Sequence, residues 1–209
     1  MRTLFVILLV LSWASVASPV RAAESGSTSD AVHVETIVAI RHGETPSNDL
    51  GQLSCRGLNR ALALPKLLTA RYGTPNFIFA PNPAMKMHSP YSYVRALATI
   101  EPTAISLTMP VNTQIGRYDF PLLQQVLTSP DYEDSLIFMA WEHGDLHQFA
   151  KNLVKAYGGD PSTVPDWPGN DFDSVFVIRL TRRGCKTSVS FEHQHENLTG
   201  HLRDTCPGF

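Results

Sequence analysis

The sequence predicts an α/β protein with three layers, in which helices cover both faces of a mostly parallel central sheet. Short apolar segments rich in β-branched and aromatic residues predict strands at 35–40, 77–80, 135–141 and 174–180. Segments with helical spacing of apolar residues alternate with these strands, as expected of strands joined by crossover helices. Two of the strands end in His-Gly, which favours a ligand site at the carboxyl edge of the sheet.

The first predicted strand, 35–40, stops at Arg41-His42-Gly43. After a turn-rich loop, Ser54 is the predicted N-cap of a helix that ends at Gly73. Pro65 lies inside this helical pattern. We expect it to kink or divide the helix, because proline lacks the amide hydrogen that a helix uses.

The later elements follow from the same patterns and from proline and glycine stops. We expect Pro102 to break the second helix and Pro121 to lie in the first turn of the third. A turn at Arg183-Gly184 should join the last two strands as an antiparallel hairpin. The predicted helices are 93–105, 121–127 and 146–157, and the further strands are 187–191 and a possible short edge strand at 111–115.

The composition is that of an ordinary globular domain, and we predict one domain over 33–209 with a loop-rich C-terminal tail. Hydrophobic residues make up 43% of the 209 residues and charged residues 17%. The formal net charge of -2 argues against nucleic acid as a partner, because such a partner requires a basic surface. The sequence leaves the oligomeric state open.

Residues 1–23 have the organisation of a secretory signal peptide. Arg2 precedes an apolar segment, 4–11, and Val20-Arg21-Ala22 fits a cleavage site. The segment is shorter than the roughly 20 apolar residues of a membrane-spanning helix, so a cleaved signal peptide is favoured over a membrane anchor. Residues 24–32 are then a flexible lead-in. The mature protein is expected to be exported, periplasmic or secreted, with no membrane span after cleavage.

Export permits disulfides, and the chain has three cysteines, Cys55, Cys185 and Cys206. An odd number leaves one of them unpaired. We predict that Cys185 pairs with Cys206 and staples the C-terminal tail, whereas Cys55 remains a thiol within the first helix.

Residues suited to phosphate chemistry lie at the ends of the predicted elements. Arg41 and His42 follow the first strand, His143 follows the strand at 135–141, and Arg95 lies in the second helix. In a parallel sheet the two histidines would lie at one edge. Arginine binds phosphate bidentately, and a neutral imidazole is a competent nucleophile near pH 7.

Four segments, in order, carry a resemblance to a known family. Arg41-His42-Gly43-Glu44-Thr45-Pro46-Ser47-Asn48 fits Arg-His-Gly-Glu-Thr-x-x-Asn at every fixed position. Segment 53–61 resembles Leu-Thr-x-x-Gly-x-x-Gln-Ala, segment 89–99 resembles one containing Arg-Ala-x-x-Thr, and His143-Gly144 resembles a second histidine motif. Over roughly residues 35–180 the chain thus resembles the first branch of the histidine phosphatase superfamily, also called phosphoglycerate-mutase-like.

The resemblance implies a role for each matched residue. His42 is the nucleophile and forms a phosphohistidine, while Arg41, Arg95 and His143 bind the phosphoryl oxygens. Asn48 helps to line the substrate pocket. No metal or other cofactor is implied.

The proton donor departs from the family pattern. The first branch takes it from a glutamate in the segment that corresponds to 113–120, which contains no glutamate here. The second branch has an aspartate directly after the second histidine, where this chain has Gly144. Asp119 is therefore the first choice of donor, with Glu142 and Asp145 as alternatives. Glu142 is also assigned to substrate binding.

We predict a metal-independent phosphoric monoester hydrolase that acts on a small phosphorylated substrate through His42. The first alternative is a non-catalytic member of the same fold that binds a phosphorylated or anionic ligand. A weaker alternative is a metal-dependent hydrolase that uses His143, His147 and histidines of the tail.

Overall fold

The computed structural model describes residues 31–86 and 90–208, which form a mixed α/β fold. The predicted signal peptide and most of the lead-in lie outside the described residues. None of the described helices is long and apolar enough to cross a membrane. The strands in the described part of the chain are β1 Val32–Arg41, β2 Phe77–Phe79, β3 Leu136–Trp141, β4 Ser174–Arg183 and β5 Lys186–His195. The α-helices are α1 Cys55–Tyr72, α2 Arg95–Leu107, α3 Phe120–Leu127 and α4 His143–Ala156.

The strands form one sheet in the order β2-β3-β1-β4-β5, and this sheet is mixed. β3 pairs in parallel with β1 and β2, whereas the longer ladders, β1 with β4 and β4 with β5, are antiparallel. The predicted hairpin of β4 and β5 is confirmed, but the prediction of a mostly parallel sheet is wrong. The loop 157–173 explains the difference. It returns to the carboxyl end of β1, where Arg41 donates to the carbonyls of Gly169 and Asp171, so β4 starts at that end.

Successive residues of β1 belong to two hydrophobic clusters, because side chains alternate between the faces of a strand. Ile37 and Ala39 are in a cluster with residues of α3 and α4. Val38 and Ile40 are in a cluster with residues of α1 and α2. Burial of a large apolar side chain contributes about 1.5–3 kcal/mol, so packing on both sides fixes this strand and the residues that follow it.

Neither Pro65 nor Pro102 divides its helix. α1 begins after its predicted cap, Ser54, whose side chain accepts from the amide of Gly57, and it continues through Pro65 to Tyr72. α2 continues through Pro102 to Leu107, so the prediction that Pro102 breaks it is wrong. Each proline removes one helical hydrogen bond. Buried residues lie on both sides of each proline, and their packing outweighs that loss.

Two other elements differ from the sequence expectation. α4 begins at His143 rather than near residue 146, because Glu142 caps the helix with its side chain. Segment 111–115 forms only an isolated bridge, between Asn112 and Phe79, and not a strand.

The cysteines pair differently from the prediction. Cys55 is bonded to Cys206, and Cys185 is an exposed free cysteine in the turn between β4 and β5. The tail after β5 folds back over the start of α1, where Asn59 also donates to two tail carbonyls. The tail is therefore stapled, but to the helix in which Cys55 lies.

A buried arginine joins this tail to the loop after β1. Arg60 is fully buried and pairs with Glu44, Asp173 and Glu196. Glu44 lies two residues after His42, and Glu196 is the first residue of the tail. Burial and the neighbouring carboxylates raise the pKa of Glu196 to about 8, against the opposing effect of Arg60. The cluster thus fixes the segment that follows the predicted nucleophile.

Candidate active site

The carboxyl ends of β1 and β3 bring the two histidine segments side by side. These strands are parallel neighbours, with Arg41 opposite Trp141. The amide of His42 donates to the Trp141 carbonyl over 2.9 Å, so the pairing continues one residue beyond β1. His42 and His143 therefore follow adjacent strand ends.

His42 is a buried, neutral imidazole. The residue is 2% exposed, and Nδ1 of its ring is 2.8 Å from the Gly43 carbonyl oxygen. Because a carbonyl can only accept, Nδ1 carries the hydrogen and Nε2 keeps its lone pair. Burial, with the positive charges of Arg95 and Arg41, lowers the pKa of His42 to about 3. The ring is thus an available nucleophile at neutral pH.

Two glycines allow the loop after His42 to lie against α1. A Cβ at Gly43 would be 2.8 Å from the Gly57 carbonyl oxygen, and one at Gly57 would be 2.2 Å from the Glu44 carbonyl oxygen. Neither position has room for a side chain. The amide of Gly43 also donates to Thr99 Oγ1 over 2.9 Å, which fixes the loop against α2.

Arg41 is held by backbone carbonyls and by an aromatic ring. Its Nη1 donates to Gly169 O over 2.7 Å and to Asp171 O over 3.0 Å. Its guanidinium carbon lies 3.9 Å from the centroid of the Phe172 ring. Its Nε is buried and has no hydrogen-bond partner among the described residues. A fixed guanidinium with a spare donor is suited to an anion from outside the protein.

Arg95 presents a second spare donor. It is the first residue of α2, and its Nη1 lies 2.5 Å from Oδ1 of the largely exposed Asp49. Its buried Nε likewise finds no partner within residues 31–86 and 90–208. An unsatisfied buried donor costs about 1–3 kcal/mol, so two of them near His42 favour a ligand at this place.

Glu142 organises the side of the site that β3 contributes. Its Oε2 accepts from the amides of Gly144 (2.9 Å) and Asp145 (3.2 Å), and its Oε1 pairs with Nδ1 of His143. Arg117 pairs with Glu142 at 3.3 Å and with Asp145 at 2.5 Å. Burial alone would raise the pKa of Glu142, but His143, Arg117 and the helix amides lower it to about 2. Glu142 is therefore a fixed carboxylate.

The second nitrogen of His143 lies on the Arg41 side. A Cβ at Gly169 would be 3.7 Å from Nε2 of His143, and the carbonyl of Gly169 binds Arg41. Since Nδ1 contacts Glu142, Nε2 is the nitrogen that can reach a ligand.

Two of the sequence-predicted site residues are exposed to solvent. Asp119 precedes α3, and its side chain makes no capping hydrogen bond. Asn48 is exposed on the loop after β1, and its neighbour Asp49 contacts Arg95 instead. Asp145, an alternative donor, accepts a hydrogen bond from Arg117. Burial raises the pKa of Asp145, and Arg117 opposes that rise.

Tyr93 and Arg117 are missing from the sequence prediction of the site, and Phe172 is a possible pocket residue in the sequence for which packing is favoured. Tyr93 and Phe172 place their rings 6.1 Å and 6.2 Å from the ring of His42, measured between centroids. In the sequence they fit the pattern of packing residues. Arg117 lies in segment 113–120, which is notable in the sequence only for the glutamate that it lacks.

In the described part of the chain, no three or more His, Cys, Asp or Glu side chains are grouped so that they could hold a metal ion. The histidines of the metal-site alternative have other neighbours. Nδ1 of His143 contacts Glu142, and Nε2 of His147 lies 3.7 Å from Asp166.

Comparison with known proteins finds distant similarity among solved structures. No protein-family model matches the chain, and no curated protein matches it. The chain is similar to a solved structure from Agrobacterium tumefaciens that is described as a candidate phosphohistidine phosphatase, SixA. The identity is 13%, the match covers 76% of this chain and 97% of that chain, and the TM-score is 0.43. At this similarity, function has to be argued from the residues of the site.

Proposed function

We propose that this protein is an exported phosphatase of the histidine phosphatase type, a first-branch member that hydrolyses a small phosphomonoester without a metal or other cofactor. The arrangement around His42 carries the proposal. A buried, unprotonated imidazole lies with two fixed arginines, each of which has a buried Nε without a partner among the described residues. Phosphoryl transfer requires such donors, because charge is spread over three phosphoryl oxygens in its transition state.

In the proposed reaction, the lone pair of His42 Nε2 attacks the phosphorus of the bound ester. An N–P bond forms, the P–O bond to the alcohol breaks, and the alcohol oxygen takes a proton. Water then attacks the phosphohistidine, which releases inorganic phosphate and returns the electron pair to Nε2. Arg41 and Arg95 bind the phosphoryl oxygens in both steps. Nε2 of His143 does so when both ring nitrogens carry hydrogen, because Nδ1 is directed to the Glu142 carboxylate.

Asp119 remains the proposed donor of the leaving-group proton. Glu142 is disfavoured, because its two oxygens are already engaged by amides of α4, by Arg117 and by His143, and Asp145 is disfavoured by its ion pair with Arg117. Asp119 is exposed and lies two residues after Arg117, so its carboxyl is accessible to a substrate that covers the site. We also propose that Asn48 lines the entrance to the pocket.

A trapped phosphoryl adduct tests this function. The wild-type protein should hydrolyse an aryl phosphate, be inhibited by vanadate, and keep its rate in chelator. Quenching in base during turnover should trap an adduct that acid destroys. His42→Ala should lose the adduct and lose activity by a factor on the order of 10⁴ or more, because the nucleophile is gone. His147→Ala, on the same helix as His143, should retain both. An active His42→Ala protein would exclude the mechanism.

A non-catalytic, anion-binding protein is the second candidate. It is favoured by the observation that Glu142 and Asp145, the acids beside His143, are both paired with Arg117. This role predicts that phosphate or vanadate binds, that Arg95→Ala weakens the binding, and that no substrate of a broad panel is turned over.

A further inference from the structure

We propose that the hydroxyl of Tyr93 is a fourth donor of the phosphoryl-binding site and bonds a phosphoryl oxygen beside Arg41, Arg95 and His143. Its effect on the rate rests on the proposed function. Its effect on anion binding does not, since a bound oxyanion needs the same donors whether or not it is turned over.

The burial of Tyr93 is the first observation. The residue is 1% exposed, and its buried hydroxyl makes no hydrogen bond of normal geometry to a described residue. Arg95 is close enough to act as a donor that lowers the pKa of the phenol, but it offers no acceptor for the hydroxyl hydrogen. Buried tyrosines ordinarily bond their hydroxyl, and a buried polar atom without a partner destabilises the fold. A phenylalanine would fill the same space without that cost. The presence of a hydroxyl at this position is therefore explained if it bonds a partner outside the described chain.

The surroundings of the ring are the second observation. The ring packs edge-on to His42, with centroids 6.1 Å apart and an interplanar angle of 81°. The guanidinium carbons of Arg95 and Arg117 lie 4.7 Å and 5.0 Å from its centroid. Tyr93 therefore contacts the proposed nucleophile and two cations of the same site.

The chemistry of these neighbours sets the direction of the hydrogen bond. Guanidinium groups can only donate, so neither Arg95 nor Arg117 can accept the hydrogen of the hydroxyl. Burial raises the pKa of Tyr93 more than the two arginines lower it, so the phenol keeps its proton. The missing partner is consequently an acceptor. An oxyanion is the acceptor that the spare donors of Arg41 and Arg95 also favour.

A donor of this kind contributes to the rate when its hydrogen bond is stronger in the transition state than in the bound substrate. Tyr93 is held by packing against His42 and the two arginines, so it needs no rearrangement as the charge on the phosphoryl group shifts. Vanadate, which can adopt the five-coordinate geometry of phosphoryl transfer, is the matching probe for this contribution.

Tyr93→Phe tests the proposal, because it removes one oxygen and keeps the ring. We expect kcat/KM to fall about 100-fold, the size typical of removing one oxyanion donor. The fall should be equal for aryl and alkyl phosphates, since they share the phosphoryl oxygens. Vanadate should bind more weakly by a similar factor. The Tm should stay the same or rise, because a polar atom without a partner is removed. Unchanged kcat/KM and unchanged vanadate affinity would overturn the proposal.

Tyr72→Phe is the matched control. Its hydroxyl bonds Oε1 of Gln194 over 2.7 Å, away from the proposed site, so its removal should lower the Tm and leave kcat/KM unchanged. If Tyr93→Phe lowered the Tm in the same way, its hydroxyl would be structural and the proposal would be wrong. A loss confined to alkyl phosphates would assign the hydroxyl to the leaving oxygen and would also overturn it.

Calorimetry with inorganic phosphate separates this proposal from the proposed function. If the wild-type protein turns over no substrate, the phosphatase proposal fails. Weaker phosphate binding by Tyr93→Phe would still support the Tyr93 hydroxyl as a donor, whereas equal binding by the two proteins would reject it.

Discussion

At the scale of single residues, each ionisable group near His42 has its protonation state set by a different neighbour. His42 is neutral because it is buried near Arg95 and Arg41. Glu142 is ionised because it caps α4 and meets His143 and Arg117. The ring of His42, the proposed nucleophile, therefore stays uncharged over a wide range of pH above about 3.

The residues that the sequence identifies and those that it misses differ in kind. Arg41, His42 and His143 are polar residues that directly follow predicted strands, and such positions are visible in a hydrophobic pattern. Tyr93 and Phe172 are aromatic, so the same pattern assigns them to packing. Whether an aromatic ring faces the core or an anion depends on neighbours that are distant in sequence, such as Arg41 beneath Phe172. The sequence pattern contains no information on that contact.

Replacement of Glu142 by glutamine tests the role of its charge. The pKa of Glu142 is lowered in the folded protein, so its stabilisation is present above the unfolded pKa of about 4.5 and lost as the pH falls towards 2. We expect Glu142→Gln to lower the free energy of unfolding at pH 7 by up to about 3 kcal/mol, and by much less at pH 3. The rate should also fall, because His143 loses the partner that orients it.

Urea unfolding at both pH values, with kcat/KM measured at pH 7, checks this prediction. Glu192→Gln is a control. Glu192 lies on β5, is exposed and pairs with Arg179, so its replacement should change the free energy of unfolding by less than about 1 kcal/mol. An equal destabilisation by Glu142→Gln at pH 3 and pH 7 would show that the amide geometry matters and the charge does not.

At the scale of elements, the positions of strands and helices can be predicted better than their directions. The apolar segments at 135–141 and 174–180 identify β3 and β4, because burial on both faces gives continuous apolar sequences. The direction of β4 depends on where the loop 157–173 goes. That path is set by contacts of Gly169 and Asp171 with Arg41, which no local pattern encodes.

The tail is the element whose attachment the sequence misassigns. Cys185 lies in the hairpin turn, whereas the chain after His195 turns back towards α1. Arg60 contacts both Glu44 and Glu196, which lie far apart in sequence, and these contacts hold the returning tail. The disulfide and the Arg60 contacts therefore hold the tail against the same part of α1.

Removal of the Cys55–Cys206 disulfide should destabilise the protein without removing the site. We expect Cys206→Ser to lower the free energy of unfolding by about 2–4 kcal/mol, because the bond restricts the unfolded chain over a separation of 151 residues. Cys185→Ser, which removes the free thiol, should change stability by less than about 0.5 kcal/mol. Denaturant unfolding of both variants without reductant measures this difference.

Thiol titration of the denatured, unreduced protein provides a second measurement. One thiol should react in the wild-type chain and none in Cys185→Ser. If Cys185→Ser destabilised the protein as much as Cys206→Ser, the pairing described here would be contradicted.

At the scale of the whole molecule, buried ionisable groups give stability an uneven dependence on pH. His42 titrates lower in the folded protein than in the unfolded chain, so the unfolded state binds more protons and stability rises with pH from about 3 to 6.5. Glu35 and Glu196 act in the opposite direction, because burial raises their pKa values to about 7 and about 8. Stability should therefore be greatest at mildly acidic pH.

Glu35 is the best residue with which to measure this effect, because it can be replaced without touching the proposed site. It lies near the start of β1, whereas the proposed nucleophile, His42, follows the end of that strand. It is fully buried and accepts from Nη2 of Arg182 at 2.8 Å, yet burial outweighs this partner and raises its pKa from 4.5 to about 7. Between these values the folded protein binds the extra proton. The contribution of Glu35 to the free energy of unfolding thus decreases as pH rises.

We expect the difference in the free energy of unfolding between the wild type and Glu35→Gln to decrease by up to about 3 kcal/mol from pH 4.5 to pH 7. Activity at a fixed pH should be unchanged. Glu101→Gln, on the exposed side of α2, should give a difference within about 0.5 kcal/mol at every pH. Chemical unfolding at intervals of half a pH unit measures both curves. A constant difference for Glu35→Gln across this range would mean that Arg182 keeps Glu35 ionised throughout and that burial does not dominate.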